Sequence, residues 1–246
     1  MNKRSVTIFA VIEIILYIIF LILDFSDANE TTAAVLKFIS IIICTCVTIT
    51  ALIRINDGTS RLSAVMAAIA MIFTVISDFF LLFADDILPG LITFGIVHIV
   101  YLIVIMGADR KHVSIALLIR IFLTALGVIS LKDLLPDGIL FLAAVLFYAI
   151  SFLGNIFHLT LSIILKKNAN PCLFRRPVMY LVGMILFVLC DINVLLYNLG
   201  DHIAVDTPAF ATLSRAAVYL IWIFYLPSQV LIVLSNLRIV NNIGNP

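Results

Sequence analysis

Apolar residues along this chain gather into eight long runs: Ser5–Leu23, Ala34–Ile53, Leu62–Phe83, Leu88–Met106, Val113–Leu131, Leu140–Leu165, Pro177–Leu199 and Ala211–Leu234. Short polar stretches separate them. Most are close to the ~20 residues with which a helix crosses a bilayer. The sixth is longer and suits a tilted helix, or one that extends past the membrane. The pattern predicts an all-α polytopic membrane protein, a bundle of eight transmembrane helices forming one integral membrane domain over residues 1–246. The first run follows Lys3 and Arg4 as a signal peptide would. However, it exceeds the usual apolar region, holds Glu13 and lacks a small-residue cleavage site, which predicts an uncleaved anchor.

Composition agrees with this pattern. Hydrophobic residues make up 64% of the chain and charged residues 12%, against about 45–50% and about 25% in soluble domains. Mean hydropathy is +1.25. A net charge of +1 gives no basis for a nucleic-acid partner. Charge does fix an orientation. Alternate loops carry Lys3, Arg4, Arg54, Arg61, Arg110, Lys111, Lys166, Lys167, Arg175, Arg176 and Arg238. The other loops carry Asp24, Asp27, Glu30, Asp85, Asp86, Asp133, Asp137, Asp201 and Asp206, with Lys132 as their basic residue. The excess of Lys and Arg on one side predicts both termini in the cytoplasm, in a multi-pass protein of the cytoplasmic membrane if the cell is bacterial. Cys44, Cys46 and Cys190 lie in apolar runs and read as small buried residues rather than a disulfide framework.

Ionisable groups inside membrane helices are costly and usually functional. Asp78 lies five residues before Phe83, about 7–8 Å of helix rise. Asp191 lies eight residues before Leu199, about 12 Å. Both helices run outward in this topology, so the two carboxylates are expected at similar depth in the outer half of the membrane and in a common cavity. After Asp78 and the acidic turn at Asp85 and Asp86, the fourth run carries Gly90, Phe94, His98 and Tyr101, within about 80° of one another on a helix. On the sixth, Tyr148, Ser151, Asn155, His158 and Ser162 make a polar stripe. On the eighth, Tyr225 and Gln229 are one turn apart, with Trp222 beside them. Ser151, Ser162 and Asn193 are expected to bond a neighbouring helix. Arg120 is expected to snorkel to the cytoplasmic surface, and Lys37 to reach the outer one.

These residues resemble the YhhN-like lysoplasmalogenase family of eight-helix membrane proteins. That family has an apolar helix ending in G-D, leucine-rich turns, a short loop and G-x3-F-x3-H-x2-Y. Here the stretch reads S-D-F-F-L-L, then Gly90, Phe94, His98 and Tyr101. A later block, G-x3-F-x2-S-D, is matched by Gly183, Phe187, Cys190 and Asp191. The closing block resembles Y-x2-(G/A)-Q-x-L-I and is read here as Tyr225, Ser228, Gln229, Leu231 and Ile232, and Lys37 resembles a family lysine in the second helix. The resemblance spans roughly residues 34–235. Ser77 stands in place of the first glycine, Cys190 in place of the serine, and the proline after the lysine is missing.

The resemblance implies hydrolysis of the vinyl ether bond of a lysoplasmalogen to a fatty aldehyde and a glycerophospho-alcohol. Its substrates would be a lysophospholipid and water, in contact with membrane lipid. Asp78 and Asp191 would be catalytic. Lys37, His98, Tyr101, Asn155, Tyr225 and Gln229 would bind or orient substrate. A vinyl ether is cleaved by acid, and a proton donor, a carboxylate facing the cation and a base for water suit that chemistry. There is no H-E-x-x-H motif or other metal-ligand cluster, so the expectation is an enzyme without metal or cofactor. The alternative is a proton- or cation-coupled transporter of a small molecule or lipid that uses the same aspartates. The similar helices bearing Asp78 and Asp191 hint at the repeats common in transporters, but no matching Gly/Pro-broken helices accompany them. An intramembrane aspartyl protease would need a G-x-G-D signature, which is missing.

Overall fold

A computed structural model describes residues 2–26, 29–55, 58–107, 109–134, 138–166, 171–199 and 208–237. Within them the chain is helical, with no strand. The helices are α1 (Lys3–Phe25), α2 (Glu30–Ile53), α3 (Gly58–Phe79), α4 (Ile87–Met106), α5 (Arg110–Leu131), α6 (Ile139–Lys166), α7 (Pro171–Leu199) and α8 (Pro208–Asn236). Among the described residues, all eight are long and apolar enough to cross a membrane, as expected of a multi-pass integral membrane protein. Of the loop charges, Asp27, Asp137, Lys167, Asp201, Asp206 and Arg238 lie outside the described residues.

Three helix ends differ from the sequence reading. The third span does not stay α-helical to Phe83: α3 ends at Phe79 and widens into a π-turn, Phe80–Ala84. Asp85 closes that turn with φ 49°, a left-handed conformation that an aspartate tolerates. The backbone N–H groups of Asp85 and Asp86 both donate to the Phe80 carbonyl. At the seventh span, α7 begins at Pro171 and runs through Pro177, so Arg175 and Arg176 stand on the helix, exposed, and not in a loop. Asp24 likewise belongs to the last turn of α1.

The chain divides into two compact units, Met1–Val47 with Cys172–Pro246, and Thr48–Pro171. In the Thr48–Pro171 unit, α3 packs along α4, while α4 and α5 both pack on α6. Gly90 lets α4 lie close to the end of α3 and the π-turn that follows, where an added Cβ would sit 2.8 Å from Leu81 Cδ2 and 3.5 Å from the Ser77 carbonyl oxygen. Ser77 Oγ donates across the same contact to the Gly90 carbonyl at 2.5 Å. In the other unit, α1 packs on α8. Gly183 brings α7 against α8, where an added Cβ would lie 3.0 Å from the Ser228 carbonyl oxygen. Pro227 has no N–H for the Ile223 carbonyl one turn earlier. Tyr17 Oη on α1 supplies the missing donor at 3.1 Å.

Candidate functional site

Asp78 stands near the end of α3, two residues before the π-turn, and is only 3% exposed. The helix that carries it turns Phe79 and Phe83 outward, while Met71, Thr74, Ser77 and Asp78 face inward. Extra residues in a helical turn re-aim side chains and frequently mark functional positions. The widened turn beside Asp78 had no signal in the 3.6-residue periodicity, because it adds to a run that is apolar on every face.

His98 lies on the Gly90 face of α4, eight residues and so about 12 Å further along the helix. Because Ser77 is opposite Gly90, the backbone of His98 is offset by that length from the Asp78 end of α3. The ring is fully buried and stacks on Phe152 of α6 at 4.3 Å between centroids, with Tyr148 edge-on at 5.0 Å. Tyr101, 1% exposed, meets the same ring at 5.8 Å. Asn155 Nδ2 donates to the His98 carbonyl at 2.8 Å and faces His98 Nδ1 at 3.4 Å. Its Oδ1 accepts from Arg120 Nη2 at 2.9 Å. A guanidinium only donates and a carbonyl only accepts, so the amide can be oriented in one way alone.

Arg120 therefore does not snorkel. It is 3% exposed and reaches inward from α5 to Asn155. Gly154 leaves room for it, since a Cβ there would lie 3.1 Å from Nη2. A signal for this was present in the sequence: Ala116, Arg120, Thr124 and Gly127 make a narrow stripe of small and polar residues on a helix otherwise large and apolar. Ser151 is buried on the same face of α6 with no hydrogen-bond partner among the described residues, so it does not make the expected bond to a neighbouring helix. Asn193 also departs from that expectation and bonds the Leu189 carbonyl of its own helix at 2.7 Å.

The other predicted residues belong to the unit formed by α1, α7, α8 and the first part of α2. Asp191 is half-buried on α7, directly after buried Cys190. Phe187, one turn earlier, meets Tyr225 of α8 at 5.5 Å. Tyr225 meets Trp222 edge-on at 5.3 Å. Trp222 in turn lies 4.8 Å from Lys37 Nζ. Lys37 does not extend to the surface. It is buried, ion-paired with both oxygens of Asp24 at 2.8 and 2.9 Å, and held above the rings of Phe20 and Trp222. The unit thus joins Lys37 to Tyr225 through one indole. Gln229, fully buried, donates to Ser228 Oγ at 3.5 Å, and its Oε1 has no partner among the described residues.

Two residues to which the sequence reading assigned no part in the site also meet here. Glu13 of α1 is 2% exposed, and Cys44 Sγ of α2 donates to its Oε1 at 3.8 Å. Cys44 is buried as expected and also hydrogen-bonded, whereas Cys46 is exposed and departs from that expectation.

Compared with family models, with curated proteins and with solved structures, the chain matches none.

Proposed function

We propose that the chain is a membrane-embedded hydrolase of the lysoplasmalogenase type, as its resemblance to the YhhN-like family implies, with both termini in the cytoplasm. The observation that carries this reading is the Asp78 carboxylate, 3% exposed inside an apolar helix and set beside a π-turn. A carboxyl group so withdrawn from water suits proton transfer to an apolar substrate. In the proposed reaction one aspartic acid delivers its proton to the alkenyl carbon of the vinyl ether. The resulting oxocarbenium ion is stabilised by the other aspartate as a carboxylate. Water adds to the cation and yields its proton to a carboxylate. The hemiacetal then collapses to a fatty aldehyde and a glycerophospho-alcohol. Asp78 and Asp191 fill the acid and base roles.

Lys37 gives two of its contacts to Asp24, which leaves one of its three N–H donors for a substrate phosphate. Tyr225 and Gln229 supply polar atoms for water or the glycerol. His98, stacked and bonded through Asn155, serves positioning rather than proton transfer.

The test is to incubate purified protein in detergent with a lysoplasmalogen and with its saturated ether analogue. Aldehyde from the vinyl ether alone supports the reading. A transporter using the same aspartates would release none. A reporter fused after Pro246 tests the orientation, and activity on the outer side would refute it.

A further inference from the structure

Arg120 sits ten residues into α5, about 15 Å from either end of the helix. A guanidinium stays charged in a protein. No carboxylate of the described residues forms an ion pair with it. Its Nη2 donates to Asn155, while its buried Nη1 has no partner among the described residues. Ser151 lies one turn before Asn155 on the same face of α6, and its hydroxyl is likewise buried without a partner. The idle hydroxyl thus belongs to a residue four positions, about 6 Å of helix rise, before the asparagine that holds the fixed cation. Charges inside a membrane are paired, and here the described residues provide no counter-charge.

We propose that Arg120 and Ser151 form a binding site for one oxyanion, the carboxylate or phosphate head of a single-chain lipid amphiphile. The planar fork of the guanidinium suits either head, with Asn155 fixing the plane and Gly154 letting the fork lie close against α6. The position of α5 favours an amphiphile over a free aqueous ion. Its buried residues are Ala116 and Arg120, while Leu118, Ile119 and Phe122 face outward. One helix, apolar on its outer face, therefore separates the guanidinium from the exterior of the bundle, an environment suited to an amphiphile's chain. The site lies within the Thr48–Pro171 unit and uses neither aspartate, so it stands whether or not the chain is a hydrolase.

The experiment uses the full chain in a neutral detergent, with oleate, oleoyl-lysophosphatidate and uncharged monooleoylglycerol as probes. Binding is read by competition and by the thermal midpoint, which a ligand of the folded state raises. Either anionic probe should bind at least tenfold more tightly than monooleoylglycerol. Whichever one does identifies the head group, and preference for both identifies a general oxyanion site. Arg120→Gln should abolish the preference, and Ser151→Ala should weaken it severalfold. Gly154→Ala keeps the charge but crowds the guanidinium, and should also weaken it. Equal binding of all three probes by the wild-type protein would overturn the proposal, as would a folded Arg120→Gln variant with unchanged preference. If Arg120→Gln does not fold, unchanged preference in both Ser151→Ala and Gly154→Ala would overturn it as well.

Discussion

The bond from Tyr17 to the Ile223 carbonyl allows a quantitative test of how this bundle is held together. Pro227 leaves that carbonyl without its helical donor, and the Tyr17 hydroxyl takes over at 3.1 Å. Removing the hydroxyl by Tyr17→Phe keeps the ring and its 5.4 Å edge contact with Phe20, but strands a carbonyl that water cannot easily reach. An unsatisfied buried group costs about 1–3 kcal/mol. Interhelical side-chain bonds in membranes average about 0.6 kcal/mol. The bond is long for a hydroxyl donor and Tyr17 is half-buried, so about 1 kcal/mol is expected. For a chain of this size that lowers the thermal midpoint by about 2–4 °C. The decisive comparison is made in a Pro227→Ala background. There residue 227 regains its N–H and can close the bond to Ile223 within α8. Tyr17→Phe should then cost no more than about 0.3 kcal/mol, the usual limit of additivity. Thermal unfolding of the four proteins in one detergent gives the coupling. Equal losses in both backgrounds would refute the claim that tyrosine replaces the proline's missing donor.

Further outcomes follow from other contacts. Asp78→Asn and Asp191→Asn should each lower aldehyde release by at least about 10² while the protein stays folded and inserted, and retention of a tenth of the activity in both would remove them from the mechanism. His98→Gln should cost less, because its ring is engaged in stacking and in the Asn155 contact. Gly183→Ala places a Cβ 3.0 Å from the Ser228 carbonyl oxygen and should destabilise by about 1–3 kcal/mol; Gly95→Ala, with 3.5 Å of clearance, should be neutral or stabilising in the same melting assay. At the start of α5, Asp109 accepts from the His112 backbone N–H and faces its ring nitrogen at 2.6 Å, which holds its carboxyl below the ordinary 3.8. A depressed carboxylate stabilises the fold fully above the unfolded value and loses that effect as pH falls through the lower folded value. The protection factors of the first-turn amides of α5, which remove the intrinsic pH dependence of exchange, should therefore fall only below about pH 4, and a fall already at pH 5–6 would contradict this.

The spans were legible because hydrophobic length is a coarse signal that local geometry hardly disturbs. All eight predicted runs became helices, most with ends within a few residues of those expected. The ends were harder. A proline removes one hydrogen bond but does not stop a helix in an apolar setting, so α7 starts six residues before Pro177. The π-turn at Phe80–Ala84 left no mark, since phenylalanine and leucine there are apolar on every face. Among candidate residues, burial of Asp78, His98, Tyr101, Asn155, Tyr225 and Gln229 was foreseeable from polarity within apolar runs. Distance from the helix end suggested that Arg120 and Lys37 reach water, but side-chain length does not say which face a residue occupies. Arg120 shares its face with Ala116, and Lys37 finds Asp24 and Trp222 before it finds the surface.

The division into units has a bearing on how the protein is made. Thr48–Pro171 is contiguous, so its helices can gather as they leave the ribosome. The other unit is split by that segment, and α1 must wait in the bilayer for α8. Tyr17 and Ile223 are 206 positions apart. At about 5–20 residues per second of synthesis, α1 stays without that partner for roughly 10–40 s. Residues that keep α1 and α2 together, Lys37 with Asp24 and Cys44 with Glu13, are thus available to act as an early clasp, long before the helix that completes their unit has been translated.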